Sequence, residues 1–330
     1  MNILISSHAF APSVGGIETV SAILAREWAR VGHTVEIVTQ TPGEPEWEGL
    51  SVYRRLSAYQ LRQKVRTADL YLQNNISLRS LWPALGCGTQ TAVLHQTYLW
   101  AWDGRPGLAG YLKQGATHRL RNLSISLAVA KALPADTPIT GNPYDAATFR
   151  LLPEVNRKRA FIFVGRLVSD KGVHVLLEAF RLLQQRDISN QEAAQLTIVG
   201  AGPEEEELRA EATDLNVIFA GVLQGKALAE ALNEHSVLVI PSLWPEPFGI
   251  VALEGAACGC RVIGSDQGGL PEAIGPCGAT FPNGDAHALA KCMYQALEDP
   301  YPLDQNLARE HLQRHAPAAF ARRILELATN

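Results

Sequence analysis

One stretch constrains this chain more than any other: Pro241-Ser242-Leu243-Trp244-Pro245-Glu246-Pro247-Phe248-Gly249-Ile250-Val251-Ala252-Leu253-Glu254-Gly255. An apolar run, Ser236 to Ile240, leads into it and reads as a fully buried strand. Pro241, Pro245 and Pro247 then hold the chain extended, because each fixes its own φ and turns its predecessor away from helix. Gly249 opens a helical pattern that carries Glu254 and ends near Cys258. The result is a strand, a stiff loop bearing one carboxylate, and a helix start bearing a second. Helix N-termini present free N–H groups and a positive dipole end, which suit a phosphate or an anionic transition state. Two carboxylates beside an anion site are poor phosphate ligands. They suit the hydroxyl groups of a sugar and a ribose.

The same strand–loop–helix pattern recurs along the chain. Asn2 to Ser7 reads as a strand, followed by a loop from His8 to Gly15-Gly16. Ile17, Val20, Ile23, Leu24, Trp28 and Val31 then fall at helical spacing, and Thr34 to Thr39 forms the next strand. In the second half Ala160 to Val164 enters Gly165-Arg166-Leu167-Val168-Ser169-Asp170-Lys171-Gly172, and Val173 starts a helix. Further short strands fit 50–54, 69–73, 91–95, 124–129, 195–199, 217–222 and 261–265. Such alternation predicts an α/β fold with parallel sheets, and G-x-G-x-x-G is absent. A length of 330 residues predicts two domains, placed at 1–154 and 155–316, with a last amphipathic helix after Pro317.

Composition narrows the function classes. Hydrophobic residues make up 47% and charged residues 19%, as in an ordinary globular protein. No apolar run approaches the roughly 20 residues that span a bilayer, and no signal peptide is evident, so a cytoplasmic protein is expected. Five scattered cysteines fit reduced thiols, and Cys258-Gly-Cys260 lacks a second cluster at metal-ligand spacing. The net charge of −4 hides an asymmetry: 14 Lys and Arg against 10 Asp and Glu in residues 1–150, but 15 against 23 afterwards. Between Tyr53 and Lys131 the count is 11 basic to two acidic, a field that attracts anionic partners. No nucleic-acid module accompanies it, so nucleic acid is not an expected partner. Trp100, Trp102, Tyr111 and Leu112 interleave there with Arg105, Lys113, Arg119 and Arg121. That mixture suits peripheral contact with the inner membrane surface, an anionic acceptor, or a packed helix with a basic outer face.

Glu246 and Glu254, with seven residues between them and Phe248-Gly249 inside, resemble the E-x7-E signature of family-four retaining glycosyltransferases of the GT-B fold. The Gly165-Arg166-Leu167 to Lys171-Gly172 segment resembles that family's diphosphate site. Gly15-Gly16 followed by Glu18 is similar to its glycine loop, and Gly268-Gly269-Leu270-Pro271-Glu272 to its turn near the donor. His95, at the end of the 91–95 strand, matches the position of the family's active-site histidine. Pro138 to Asp145 looks like a divergent form of the segment before the interdomain linker, with Gly141-Asn142-Pro143 in altered order.

The resemblance implies two Rossmann-like parallel-sheet domains facing across a cleft, the first on the acceptor side and the second binding the donor. It implies transfer of a hexosyl group from a nucleoside-diphosphate sugar (UDP ahead of GDP or ADP) to a hydroxyl of a glycan, glycolipid or small-molecule acceptor. Retention, no cofactor and no metal are expected with it. Arg166 and Lys171 would hold the diphosphate, Glu254 the ribose, and Glu246 with the Phe248-Gly249-Ile250 backbone the sugar. Gly15, Gly16, Gly268 and Gly269 would bring backbone amides to the donor, and His95 would line the reaction centre. The C-terminal helix would cross back onto the first domain. A GT-B-type nucleotide-sugar epimerase and an inactive nucleotide-sugar-binding protein are the alternatives.

Overall fold

Parallel strands bury both faces, which is why the short apolar runs of this sequence do not alternate with polar residues. The computed structural model describes residues 1–13, 15–99, 107–157, 159–185, 194–298 and 304–330. The chain divides into two compact units, Met1–Tyr144 with His315–Asn330 and Asp145–Arg314.

The first unit contains β1 (Asn2–Ser7), β2 (Thr34–Thr39), β3 (Glu46–Trp47), β4 (Leu50–Arg54), β5 (Leu70–Asn74), β6 (Gln90–His95) and β7 (Arg121–Ser124). They form one sheet in the order β3-β4-β2-β1-β5-β6-β7, parallel throughout except for β3, which pairs antiparallel with β4. The strand expected over 124–129 does not form. The sheet strand ends at Ser124, and the Ser126 hydroxyl accepts from the Val129 N–H at 3.2 Å, starting a short helix over Leu127–Ala130. A serine with its oxygen on an orphan helix N–H outweighs the apolar letters that follow it.

Helix Gly16–Arg30 buries Val20, Ile23, Leu24 and Trp28. Against it lies the final helix, Pro317–Thr329, which buries Phe320, Ala321, Ile324 and Ala328. The Trp28 indole Nε1 donates to the Ala321 carbonyl at 2.9 Å, so the largest side chain of this interface has its polar atom satisfied. Arg323 donates to the Thr140 carbonyl at 2.6 Å and Gln90 to that of Thr329 at 2.8 Å. The C-terminal segment is thereby part of the first unit.

The second unit contains β8 (Arg159–Val164), β9 (Leu196–Val199), β10 (Val217–Gly221), β11 (His235–Ile240), β12 (Arg261–Ser265) and β13 (Gly278–Phe281). Its sheet runs β10-β9-β8-β11-β12-β13, all parallel. Phe161, Phe163, Leu176, Phe180, Leu196, Ile198, Val237 and Val239 lie in its core, with the Phe161 and Phe180 rings edge to face at 6.2 Å. Strand β13 is a finding beyond the sequence expectation: Gly-Ala-Thr-Phe is short and only its phenylalanine is fully buried. Residues 145–154, expected to belong to the first domain, pack in the second unit. The Asn233 side chain accepts from the Leu152 N–H at 2.8 Å and donates to the Arg150 carbonyl at 3.0 Å, which ties that segment down.

All five cysteines are free thiols, and Cys258, Cys260 and Cys277 are buried. Burial pushes the Cys260 thiol up to about 12, so it stays protonated and acts as a small core residue. Phe320 is fully buried at the seam of the two long helices of the first unit. Phe320→Ala is expected to lower the unfolding free energy by about 3–5 kcal/mol, measured by urea denaturation. A loss within the range of surface substitutions would contradict the packing assigned to the C-terminal helix.

Candidate functional site

In the second unit β8 and β11 are neighbours, and the strand order runs outward from them in opposite directions. The chain leaving their carboxyl ends continues to strands on opposite sides, and ligands of open α/β sheets bind at such a point. The loop after β8 runs from Gly165 through a 3-10 turn, Ser169–Lys171, to Gly172, which precedes helix Val173–Gln184. Gly172 has φ +66°, and a Cβ there would stand 2.1 Å from the Pro241 carbonyl oxygen. Only glycine permits this approach of the two loops. Leu243 and Trp244 N–H groups both donate to the Asp170 carbonyl, at 2.9 and 3.0 Å, so the loop after β11 is tied to the first by backbone alone.

A third loop joins them. Gly268 has φ +71°, and a Cβ there would stand 2.2 Å from the Glu246 carbonyl oxygen, which also accepts from the Gly269 N–H at 2.7 Å. Ser265 Oγ donates to the Ser242 carbonyl at 2.8 Å, and Asn283 Nδ2 to that of Leu243 at 3.0 Å. Segments from three strand ends thus fix the backbone on either side of Glu246.

The side chains follow from that frame. Lys171 Nζ donates to Glu246 Oε1, and Ser242 Oγ donates to the same oxygen at 3.0 Å. Both charged groups are largely covered, with side chains 21% and 15% exposed. Arg166, on the same loop as Lys171, is exposed and forms no hydrogen bond or ion pair among the described residues. Phe248 is buried, Gly249 takes φ +93°, and Ile250 begins helix Ile250–Ala257. Neither this helix nor Val173–Gln184 has a side chain capping its N-terminus, so their first N–H groups are left for another acceptor.

Glu254 lies on helix Ile250–Ala257. The residue as a whole is partly covered, but its carboxyl sits deep enough that burial, helped by the charge of Asp145, pushes its pKa up to about 7.

The site residues expected from the first half belong to the first unit. Gly15 is extended and precedes helix Gly16–Arg30, whose N-terminus also lacks a side-chain cap. His95, expected to face a ligand, has no exposure at all. Its Nε2 bonds to Asn122 Oδ1 at 2.9 Å, and Asn122 is held in turn by the carbonyls of Thr117 and Leu120. Burial, with Lys113 adding to it, lowers the His95 pKa to about 4, so the ring is neutral at pH 7. Its Nδ1 has no hydrogen-bond partner among the described residues. Asn142 is likewise interior, donating to Gln96 Oε1 at 2.9 Å while its carbonyl accepts from His315 Nδ1 at 2.6 Å. Trp100, Trp102, Arg105 and Lys158 lie outside the described residues. Leu108, Tyr111 and Leu112, on helix Leu108–Thr117, are 78%, 60% and 55% exposed.

Sequence reasoning missed Ser242, Asp170 and Asp145 as parts of the second-unit site. Ser242 stands inside the stretch first singled out, where a hydroxyl four residues before Glu246 was the available signal. Asp170 acts through its carbonyl and Asp145 through its charge, and neither leaves a mark in residue type.

The family model for glycosyl transferases group 1 matches residues 147–314. A glycogen synthase of Mycobacterium tuberculosis is 33% identical over 188 residues, 54% of this chain and 44% of the relative. A phosphatidyl-myo-inositol mannosyltransferase of Mycolicibacterium smegmatis is 33% identical over 180 residues, 51% of this chain and 45% of the relative. The matched segment thus spans less than half the length of these curated relatives. Among solved structures, HepE of Anabaena in complex with UDP and glucose has a TM-score of 0.80 at 19% identity, covering 100% of both chains. A sucrose-phosphate synthase from Thermosynechococcus elongatus has a TM-score of 0.75 at 22% identity, covering 98% of this chain and 97% of that one. At these identities the likeness is one of fold.

The raised Glu254 pKa has a definite sign. The folded protein keeps a proton that the unfolded chain, with a carboxyl near 4.5, releases, so ionising Glu254 opposes folding as pH rises from about 4.5 to about 7. Glu254→Gln keeps the shape and removes the ionisation. Its Tm relative to the unsubstituted protein is expected to climb across that window and to level off above it. A difference in Tm that does not change with pH would contradict the burial of this carboxyl.

Proposed function

The chain belongs to the glycosyl transferases group 1 family and has the GT-B fold, and on that premise we propose that it moves a hexosyl group from a nucleoside-diphosphate sugar to an acceptor hydroxyl, with retention and without a metal. The observation that carries this reading is the contact of Lys171 with Glu246 at the point where the loops after β8 and β11 meet. A cation and a carboxylate that satisfy each other can each find a better partner on one donor molecule. The diphosphate takes Lys171, a sugar hydroxyl donates to Glu246, and Ser242 keeps the carboxylate in place.

The chemistry follows from charge. As the anomeric carbon–oxygen bond breaks, the nucleoside diphosphate gains negative charge, and cations already in position stabilise it without reorganisation. Arg166 offers a planar fork of donors and Lys171 a point charge. The uncapped start of helix Val173–Gln184 adds N–H groups of the same sign. The acceptor oxygen then bonds to the anomeric carbon on the face the leaving group vacates, and its proton passes to the leaving phosphate oxygen. Glu254, with a pKa near 7, can accept from a ribose hydroxyl when ionised or donate to it when neutral.

The UDP held by the HepE structure supports UDP ahead of GDP or ADP as the donor nucleotide. An anionic or lipid-linked acceptor is supported by the basic excess between Tyr53 and Lys131 and by the exposed apolar residues of helix Leu108–Thr117, a helix that holds Lys113 and no acidic residue. No helix among the described residues is long and apolar enough to cross a membrane.

Arg166→Ala is expected to lose at least about 2–3 kcal/mol of transition-state stabilisation, a fall in kcat/KM on the order of 30- to 150-fold. Turnover of UDP-, GDP- and ADP-hexoses by both proteins measures it. Unchanged turnover in the variant would remove Arg166 from the reaction.

A further inference from the structure

The first unit has its own cavity of about 270 Å³, at the carboxyl ends of β1, β2 and β5. Strand order reverses there too: β2 and β4 continue on one side of β1, while β5, β6 and β7 continue on the other. We propose that this cavity binds a single anionic sugar unit, a monosaccharide carrying a phosphate or carboxylate, with Arg79 on the anion and Trp82 against the ring.

Four observations carry the assignment. No Asp or Glu lines the cavity, and Arg79, its one guanidinium, gives it positive charge beside the imidazole of His8. Arg79 is exposed and forms no hydrogen bond or ion pair among the described residues. The side chains of Gln40 and Ser77 also line the cavity and form no hydrogen bond among the described residues, leaving an amide and a hydroxyl for a polyol. Trp82 stands at the cavity with 61% of its surface exposed, a large aromatic face left uncovered beside polar groups.

A fifth observation is conformational. Asn75, which lines the same cavity, holds φ +76°, a left-handed backbone seen in few residues other than glycine. It is kept there from both ends: its N–H donates to the Leu94 carbonyl at 2.8 Å, and its Oδ1 accepts from the Gln96 N–H at 3.3 Å. This conformation, which asparagine adopts more readily than most residues, fixes one amide at the cavity wall, and its Nδ2 has no acceptor among the described residues. A cation, an aromatic face and three polar side chains around a space for one ring fit a charged monosaccharide. A cavity with a guanidinium and no carboxylate does not fit a cation. The sugar unit would be the acceptor, or its reacting end, and to that extent the inference rests on the transfer reading.

The experiment uses the full chain and two classes of ligand. Isothermal titration measures glucose 6-phosphate, glucuronate, glucose, UDP, GDP and ADP against the unsubstituted protein, Arg79→Ala and Trp82→Ala. The charged sugars are expected to bind more tightly than glucose. Arg79→Ala should weaken the charged sugars by about tenfold or more and leave glucose unchanged, since a charge-assisted contact is worth at least that factor. Trp82→Ala should weaken all three sugars, and both variants should bind UDP as the unsubstituted protein does.

Phosphatidylcholine vesicles carrying an alkyl glucuronide separate the sources. Saturation by free sugar indicates a soluble ligand, whereas binding to these vesicles alone, lost in Arg79→Ala, indicates a lipid-borne one. If UDP binds but neither free nor vesicle-borne charged sugar does, or if Arg79→Ala binds them undiminished, the inference is overturned. If the sugars bind as expected and none of UDP, GDP and ADP does, the inference stands and the donor reading fails instead.

Discussion

The close approach of Gly172 to the Pro241 carbonyl is the constraint on which the second-unit site depends. Any side chain at residue 172 would separate the loops after β8 and β11. With them together, the Asp170 carbonyl can accept from two N–H groups of the neighbouring loop, and Lys171 can reach Glu246. Backbone hydrogen bonds therefore set the position of the charged groups before any charge interaction contributes. This order matters energetically. A lysine–glutamate pair that is mostly covered gains little net stability against its desolvation, so the pair is better understood as held by the loops than as holding them.

The sheet supplies the location and the loops supply the chemistry. In each unit the chain leaves the carboxyl edge of the two central strands toward opposite sides of the sheet. In the second unit that edge carries two cations, two carboxylates and two uncapped helix starts. In the first it carries Arg79, a tryptophan and uncharged polar side chains around a cavity. The division of charge along the sequence is consistent with different ligands for the two halves: net acidic in residues 151–330, where carboxylates meet hydroxyls, and net basic before.

Much of this was legible in the sequence. Buried parallel strands are runs of Val, Ile, Leu and Phe, so β1, β2, β8, β11 and β12 could be read almost to the residue. The Gly165–Gly172 and Pro241–Gly255 segments were legible because glycine and proline report backbone geometry directly. Strands β3 and β13 were not, being short and lacking an apolar run. Residues 124–129 look alike as strand or helix until Ser126 is seen to cap. His95 shows the limit of placing a side chain from its strand position. A strand end fixes where the backbone stands, but tertiary packing against Asn122 turned this ring inward. The first-unit cavity left no signature, because Gln40, Asn75, Ser77, Arg79 and Trp82 come from loops and short helices with no shared spacing.

The central claim is that Lys171 and Glu246 are two halves of one donor site. The most direct measurement is a crystal structure of the complex with UDP and a hexose. It should show the diphosphate within hydrogen-bond distance of both Arg166 and Lys171, with Glu246 released from Lys171 and accepting from a sugar hydroxyl. A nucleotide bound elsewhere while the Lys171–Glu246 contact stays intact would contradict the account.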